Sequence, residues 1–154
     1  MPELTFQNPV FAAYAIAAAL MALKLMGQAW ITVAQMFKVG GGFLNPEDKA
    51  GGLANPKPRE GQLDKQEPVE RSRRLQLNDL ENIPAFWVVG FLFVLTGPAL
   101  WLAQVFFYGF VVTRALHFWA YSTAKSHEVR ATFFTIGSLI VIAMAVMVLI
   151  EALF

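Results

Sequence analysis

The chain has 154 residues, 56% of them hydrophobic and 15% charged, with a formal net charge of +1. A soluble domain usually carries about 25% charged residues, so this composition excludes one water-soluble core and fits a single domain built as a small bundle of membrane helices. The absence of cysteine excludes disulfides, thiolate metal sites and a cysteine nucleophile.

A membrane-crossing helix needs about 20 mostly apolar residues. The first such segment runs from about Asn8 to Phe37, with Lys24 as its one charge. Met1-Pro2-Glu3-Leu4 lacks the basic start of a cleaved signal peptide, so this stretch reads as a retained helix. Its alanines (Ala12, Ala13, Ala15, Ala17, Ala18, Ala19) suit close helix packing. Residues 38–66 follow, rich in Gly, Pro and charge, as a polar loop outside the bilayer. The second helix spans about Pro68 to Thr96, and Pro68 suits a first helical position. Gly97-Pro98 stops it and starts the third, which runs to about Ser122, so the two form a tight hairpin. The fourth runs from about Glu128 to Ala152 and has no charge over Ala131–Ile150. The expected fold is an all-α transmembrane four-helix bundle occupying residues 1–154.

Basic residues set an expected orientation. Lys38, Lys49, Lys57, Arg59, Lys65, Arg71, Arg73 and Arg74 surround the first loop, and Lys125 and Arg130 flank the loop before the fourth helix. The positive-inside rule places both loops in the cytoplasm. A bacterial inner membrane and the endoplasmic reticulum both fit.

The sequence Glu70–Asn82 concentrates charge where the second helix enters lipid. Each ionisable group at the centre of a span costs roughly 2.5–3.5 kcal/mol, so such groups face a bundle interior or a subunit interface. Arg71, Arg74, Asn78 and Glu81 step by 3, 4 and 3 and form one stripe; Arg114, His117 and Tyr121 form another on helix three. Arg130 lies at the same end. Arginine forks match carboxylates, while an amide and a carboxylate hold polar and ammonium groups. Together they suit a small zwitterionic ligand rich in carboxylate, such as a peptide, held beside an apolar surface.

Plainer uses stand beside this one. Arg71 and Arg73 have headgroups within reach; Arg74, Asn78 and Glu81 suit a buried network that glues helices; His117 suits an ordinary interfacial histidine; and Tyr121 suits an aromatic belt with Trp119. Lys24 and Asp79 read as a structural pair, and Trp30, Trp87 and Trp101 as lipid anchors.

These segments resemble the membrane-associated proteins of eicosanoid and glutathione metabolism (MAPEG). The resemblance lies in Asn45-Pro46-Glu47-Asp48, in Glu70-Arg71 through Glu81-Asn82, in Arg114-x-x-His117-x-x-x-Tyr121 and in Arg130-Ala131, and covers nearly the whole chain. It implies a homotrimer with glutathione between subunits near the cytoplasmic face, no nucleic-acid partner, and an apolar electrophile delivered by the lipid bilayer. By this likeness Arg74, Asn78, Glu81, His117, Tyr121 and Arg130 contact glutathione, Arg114 supports the pocket, and Arg130 activates the thiol. Asp48 is a second catalytic candidate. Lys38 is a substitute for a basic residue that the family places near Met36 and Phe37. Pro84, one position from the family's proline, implies a different kink. Ala131, Phe134 and Leu77 replace a serine, a tyrosine and an arginine of the prostaglandin E synthases, which favours a glutathione transferase, with lipid-hydroperoxide peroxidase activity as a companion. A glutathione-dependent isomerase and a non-enzymatic scaffold are the alternatives. A small transporter subunit would instead carry its charges near the bilayer midplane.

Overall fold

The computed structural model describes residues 3–53 and 55–154. Its helices are α1 (Pro9–Val39), α2 (Glu67–Leu95), α3 (Leu100–Ser122) and α4 (His127–Leu153), with a single 3-10 turn over Pro46–Lys49. Local sequence sets these limits. The Asn8 side chain accepts from the Val10 amide at 3.0 Å and Pro9 opens α1. Gly40 closes it in the left-handed region at φ 62°. Gly97, at φ 64°, turns the chain between α2 and α3. Pro98 precedes α3 rather than opening it, since that helix begins at Leu100. α2 continues as one helix through Pro84.

The bundle is a rhombus in section. α2 and α3 each touch all three other helices, while α1 and α4 do not meet among the described residues. Aromatic rings fill the centre: Phe86 stacks on Phe110 with centroids 4.2 Å apart, and Phe107 meets Phe86 and Phe93 edge-on at 6.1 Å. Ala13 and Ala17 are buried on α1, as the alanine-rich sequence leads one to expect. A Cβ on Gly90 would lie 3.0 Å from the Tyr14 ring, so a larger residue where α1 crosses α2 would have to push that ring aside. The Tyr14 hydroxyl donates to the Trp87 carbonyl at 2.7 Å, and the Trp87 indole N–H donates to the Ala18 carbonyl at 3.2 Å. Trp87 is therefore a tie between helices and not the lipid anchor expected of it. Trp30 and Trp101 do face outward, 72% and 66% exposed.

α1, α2 and α4 are long and apolar enough to cross a membrane. α3 falls outside that set; it carries Arg114 and His117, both buried within the bundle. The outer faces present Leu23, Met26, Ile142, Val146 and Leu149. A chain that exposes so much aliphatic surface and hides its polar groups inside is built for lipid, and this is an integral membrane protein.

Charge inside the bundle is tied together. Lys24 of α1 forms an ion pair with Asp79 of α2, and Arg114 of α3 lies 4.0 Å from the other Asp79 oxygen. The Lys24–Asp79 pair is the one expected from sequence; its third member is not. Beside it, the Gln28 amide N–H donates to Ser72 Oγ at 2.7 Å and to the Ser72 carbonyl at 3.3 Å, and Thr32 Oγ1 lies 2.8 Å from Ser72 Oγ. On the far side, the Ser138 hydroxyl of α4 donates to Asn82 Oδ1 at 2.9 Å.

The first loop folds back onto the helices. The amides of Asn55 and Gln62 exchange hydrogen bonds of 2.9 and 3.0 Å in a buried pair, and the Arg59 guanidinium donates to the Gly40 carbonyl at 2.9 Å. Arg73, expected to have headgroups within reach, instead donates to the Gly42 carbonyl at 2.6 Å and pairs with Glu70 at 2.5 Å. It clamps the loop to α2.

Candidate functional site

Three helix ends meet on the loop side: the first turns of α2 and α4 and the last turn of α3. Between them opens a groove of about 450 Å³ lined by Glu67, Arg71, Arg74, Tyr121, Ala124, Lys125 and Arg130. It has four cationic side chains and one carboxylate. Two helix N-termini add their positive dipole ends nearby. The groove is thus an anion site by construction, at the charged end of an apolar bundle.

Each wall has its own internal support. Glu67 Oε1 accepts from Arg71 and from Arg74, each at 2.9 Å, and so holds both forks over the groove. Asn78, one turn deeper, donates to the Arg74 carbonyl at 2.6 Å and to the Tyr121 hydroxyl at 3.4 Å. The Arg130 guanidinium lies 4.8 Å from the centre of the Tyr121 ring. Beneath Tyr121 the stack continues inward. His117 packs on Tyr121 at 4.9 Å and on Phe134 at 6.1 Å, and the Arg114 guanidinium lies 5.6 Å from the Phe134 ring. A column of three rings (Tyr121, His117 and Phe134), with the Arg130 guanidinium at one end and the Arg114 guanidinium at the other, therefore runs from the groove to the Asp79 pair. Gly137 gives Arg114 its room: a Cβ there would lie 3.0 Å from Thr113 Oγ1 and 3.3 Å from an Arg114 nitrogen.

The structure brings Arg74, Asn78, Tyr121 and Arg130 together. His117 and Arg114 are buried behind Tyr121 and do not line the groove. Glu81 is exposed on α2 and Lys38 is exposed at the end of α1. Neither forms a side-chain ion pair among the described residues. Asp48 borders a different cavity of about 410 Å³, together with Val33, Met36, Phe37 and Phe43. Sequence reasoning passed over Glu67, although its separation from Arg71 and Arg74 by 4 and 7 residues places all three on one helix face. It used Lys125 only for orientation, and took Phe134 only as a missing hydroxyl, whereas its ring joins His117 to Arg114.

The fold and site define the class: an integral-membrane four-helix bundle with a cationic groove at one end. Residues 14–150 match the MAPEG family, and the chain belongs to that family. It is 36% identical over 140 residues to microsomal glutathione S-transferase 1 of Rattus norvegicus, covering 90% of this chain and 88% of the relative. It is 41% identical over 103 residues to the Bos taurus protein of that name, covering 67% and 66%. It is also 31% identical over 151 residues to prostaglandin E synthase of Homo sapiens, covering 97% and 95%.

Proposed function

We propose that this protein is a membrane glutathione transferase that holds glutathione in the groove and presents it as a thiolate to apolar electrophiles from the bilayer. One observation carries the reading: four cations face one carboxylate in a cavity sized for a small molecule. Glutathione has two carboxylates, an ammonium group, two amides and a thiol. Arg71 and Arg74 suit its carboxylates once their forks leave Glu67, while Asn78 suits an amide and Glu81 the ammonium. Arg130 lies against the Tyr121 ring and suits the thiol. A free thiol has a pKa near 8.5, and a neighbouring guanidinium lowers it, so each unit by which it falls raises the ratio of thiolate to thiol about tenfold. Arg114 and His117 brace the Tyr121 wall from inside. Asp48, on its own cavity, carries no step in this mechanism.

Glu81 and Lys38 point the proposal to assembly. Both are exposed, Lys38 at the end of α1 and Glu81 midway along α2, and neither has an ion-pair partner among the described residues; a ligand held between copies would use them. We infer a homotrimer from the family likeness, with both loops on the cytoplasmic side. A lipid-hydroperoxide peroxidase activity would use the same thiolate. An isomerase of prostaglandin-endoperoxide type ranks below, because Ala131 offers no hydroxyl beside Arg130 and Phe134 offers a ring without one.

The test is ultraviolet thiolate absorbance on adding glutathione to detergent-purified protein, wild type beside Arg130→Ala. The expected result is a wild-type signal that the variant loses while its helicity and melting are unchanged. A full signal in Arg130→Ala would remove Arg130 from the mechanism, and no signal in wild type would overturn the reading.

A further inference from the structure

Where the first loop folds back onto the end of α1 it leaves two adjoining cavities that share no lining residue with the groove. One, of about 410 Å³, lies between Val33, Met36 and Phe37 of α1 and Phe43 and Leu53 of the loop, and its charged members are Glu47 and Asp48. The other, of about 380 Å³, shares Met36, Phe37, Phe43 and Asn55 with the first, and its charged members are Lys57 and Arg59. The charges are thus divided, carboxylates at one cavity and cations at the next. They do not neutralise one another, since none of the four enters an ion pair among the described residues. Asp48 accepts from the Asn45 amide at 3.4 Å and is held by its own 3-10 turn. Arg59 donates through one terminal nitrogen to the Val39 and Gly40 carbonyls, at 3.1 and 2.9 Å. That fixes the guanidinium at the end of α1 and leaves its remaining N–H groups for an anion.

The apolar walls continue the face that α1 turns to lipid. Leu23, Met26, Trp30, Val33 and Phe37 step by 3, 4, 3 and 4 and are all exposed, and the last two line the first cavity. Leu53, on the loop opposite, is fully exposed. We propose that the paired cavities bind the headgroup of an ethanolamine phospholipid. Its phosphate meets Lys57 and Arg59, its ammonium group donates to Glu47 and Asp48, and one acyl chain leaves between Phe37 and Leu53 and follows α1 past Val33 and Trp30. Each cavity is of small-molecule size, enough for a headgroup and the start of a chain, with the rest of the lipid in the bilayer. Cations at a membrane surface alone would favour an anionic lipid; the two carboxylates oppose one. A choline headgroup has the same charges and no N–H donor for the carboxylates. The proposal does not rest on glutathione binding and is tested without it.

The chain has no cysteine, so one introduced thiol carries the only label. Trp30→Cys, labelled with bimane, is reconstituted in phosphatidylcholine vesicles. A fixed fraction of the lipid is then phosphatidylethanolamine, phosphatidylcholine or phosphatidylglycerol with brominated acyl chains, which quench the label on contact. The brominated phosphatidylethanolamine is expected to quench with an apparent affinity about three- to fivefold above the other two, the ratio that one partly screened charge pair supplies. Adding Glu47→Gln and Asp48→Asn, which keep size and an acceptor oxygen, should bring phosphatidylethanolamine down to the level of phosphatidylcholine. Equal quenching by the three lipids would overturn the proposal. So would phosphatidylglycerol in the lead, which would mean that the cations act alone, or a preference for phosphatidylethanolamine that survives both substitutions. If the doubly substituted protein fails to fold, the comparison of the three lipids in Trp30→Cys decides alone.

Discussion

Removing Asp79 should damage this protein more than removing Lys24, although the two form one ion pair. The Asp79 side chain is fully buried, pairs with Lys24, and lies 4.0 Å from the Arg114 guanidinium, itself fully buried. Asp79→Ala leaves two cations inside the bundle with no carboxylate between them. Lys24→Met leaves Asp79 with Arg114 and removes a side chain that retains 16% exposure. Breaking a buried pair from one side costs about 3–5 kcal/mol, and in a chain of this length each kcal/mol moves Tm by roughly 2–4 °C. Asp79→Ala should therefore lower Tm by roughly 6–20 °C, and Lys24→Met by clearly less. The double variant Lys24→Met/Asp79→Ala has one stranded cation in place of two, so it should melt above Asp79→Ala alone. Differential scanning fluorimetry in one detergent reads all three. If Lys24→Met were the most damaging, or if the double variant lost the sum of the two single losses, the carboxylate would not be the shared partner and the argument would fail.

Three further perturbations separate the roles assigned above. Gly137→Ala should cost about 1–3 kcal/mol, because its methyl group would press on Thr113 and Arg114; unchanged melting would mean that α3 and α4 adjust freely. Glu67→Gln should leave melting nearly unchanged, since its pairs are surface-exposed and screened by solvent, and should tighten glutathione binding by freeing both arginines, an effect that salt diminishes. Weaker binding in calorimetry would instead make Glu67 a ligand contact. Trp87→Phe should lower stability by about 1 kcal/mol through loss of its hydrogen bond to Ala18, while Trp30→Phe should be nearly neutral; equal losses would return Trp87 to an anchoring role.

The helical plan was legible because a bundle in lipid writes it as long apolar runs divided by charge, Gly and Pro. Stripes were legible too: spacing put Arg74 and Asn78 on one face of α2, and His117 and Tyr121 on one face of α3. What spacing cannot give is the rotation of each helix against its neighbours. Arg114, His117 and Tyr121 form one stripe, yet Arg114 and His117 turn into the core while Tyr121 reaches the groove. The difference arises from where α4 lies, and Phe134 and Gly137 decide that. The loop was equally opaque. Its Gly-rich composition says polar and outside, whereas the Asn55–Gln62 pair and the Arg59 and Arg73 clamps depend on contacts 7 to 31 residues away in sequence.

The placement of the arginines divides structure from chemistry. Arg114 is spent in the interior, against two rings, a carbonyl and the Asp79 carboxylate, and a charge so enclosed is costly to release. Arg71 and Arg74 hold only an exposed carboxylate, an attachment that solvent screening keeps weak. Arg130 holds a ring face and one long bond, 3.4 Å, to the Ser126 carbonyl. A ligand can therefore take over the groove arginines with little loss to the fold, and it cannot take Arg114. Substitutions in the groove should then lower binding or turnover with melting preserved, whereas those around Asp79 should lower melting first. A groove variant that unfolded the bundle, or an Asp79 variant that melted normally yet was inactive, would show this division to be drawn in the wrong place.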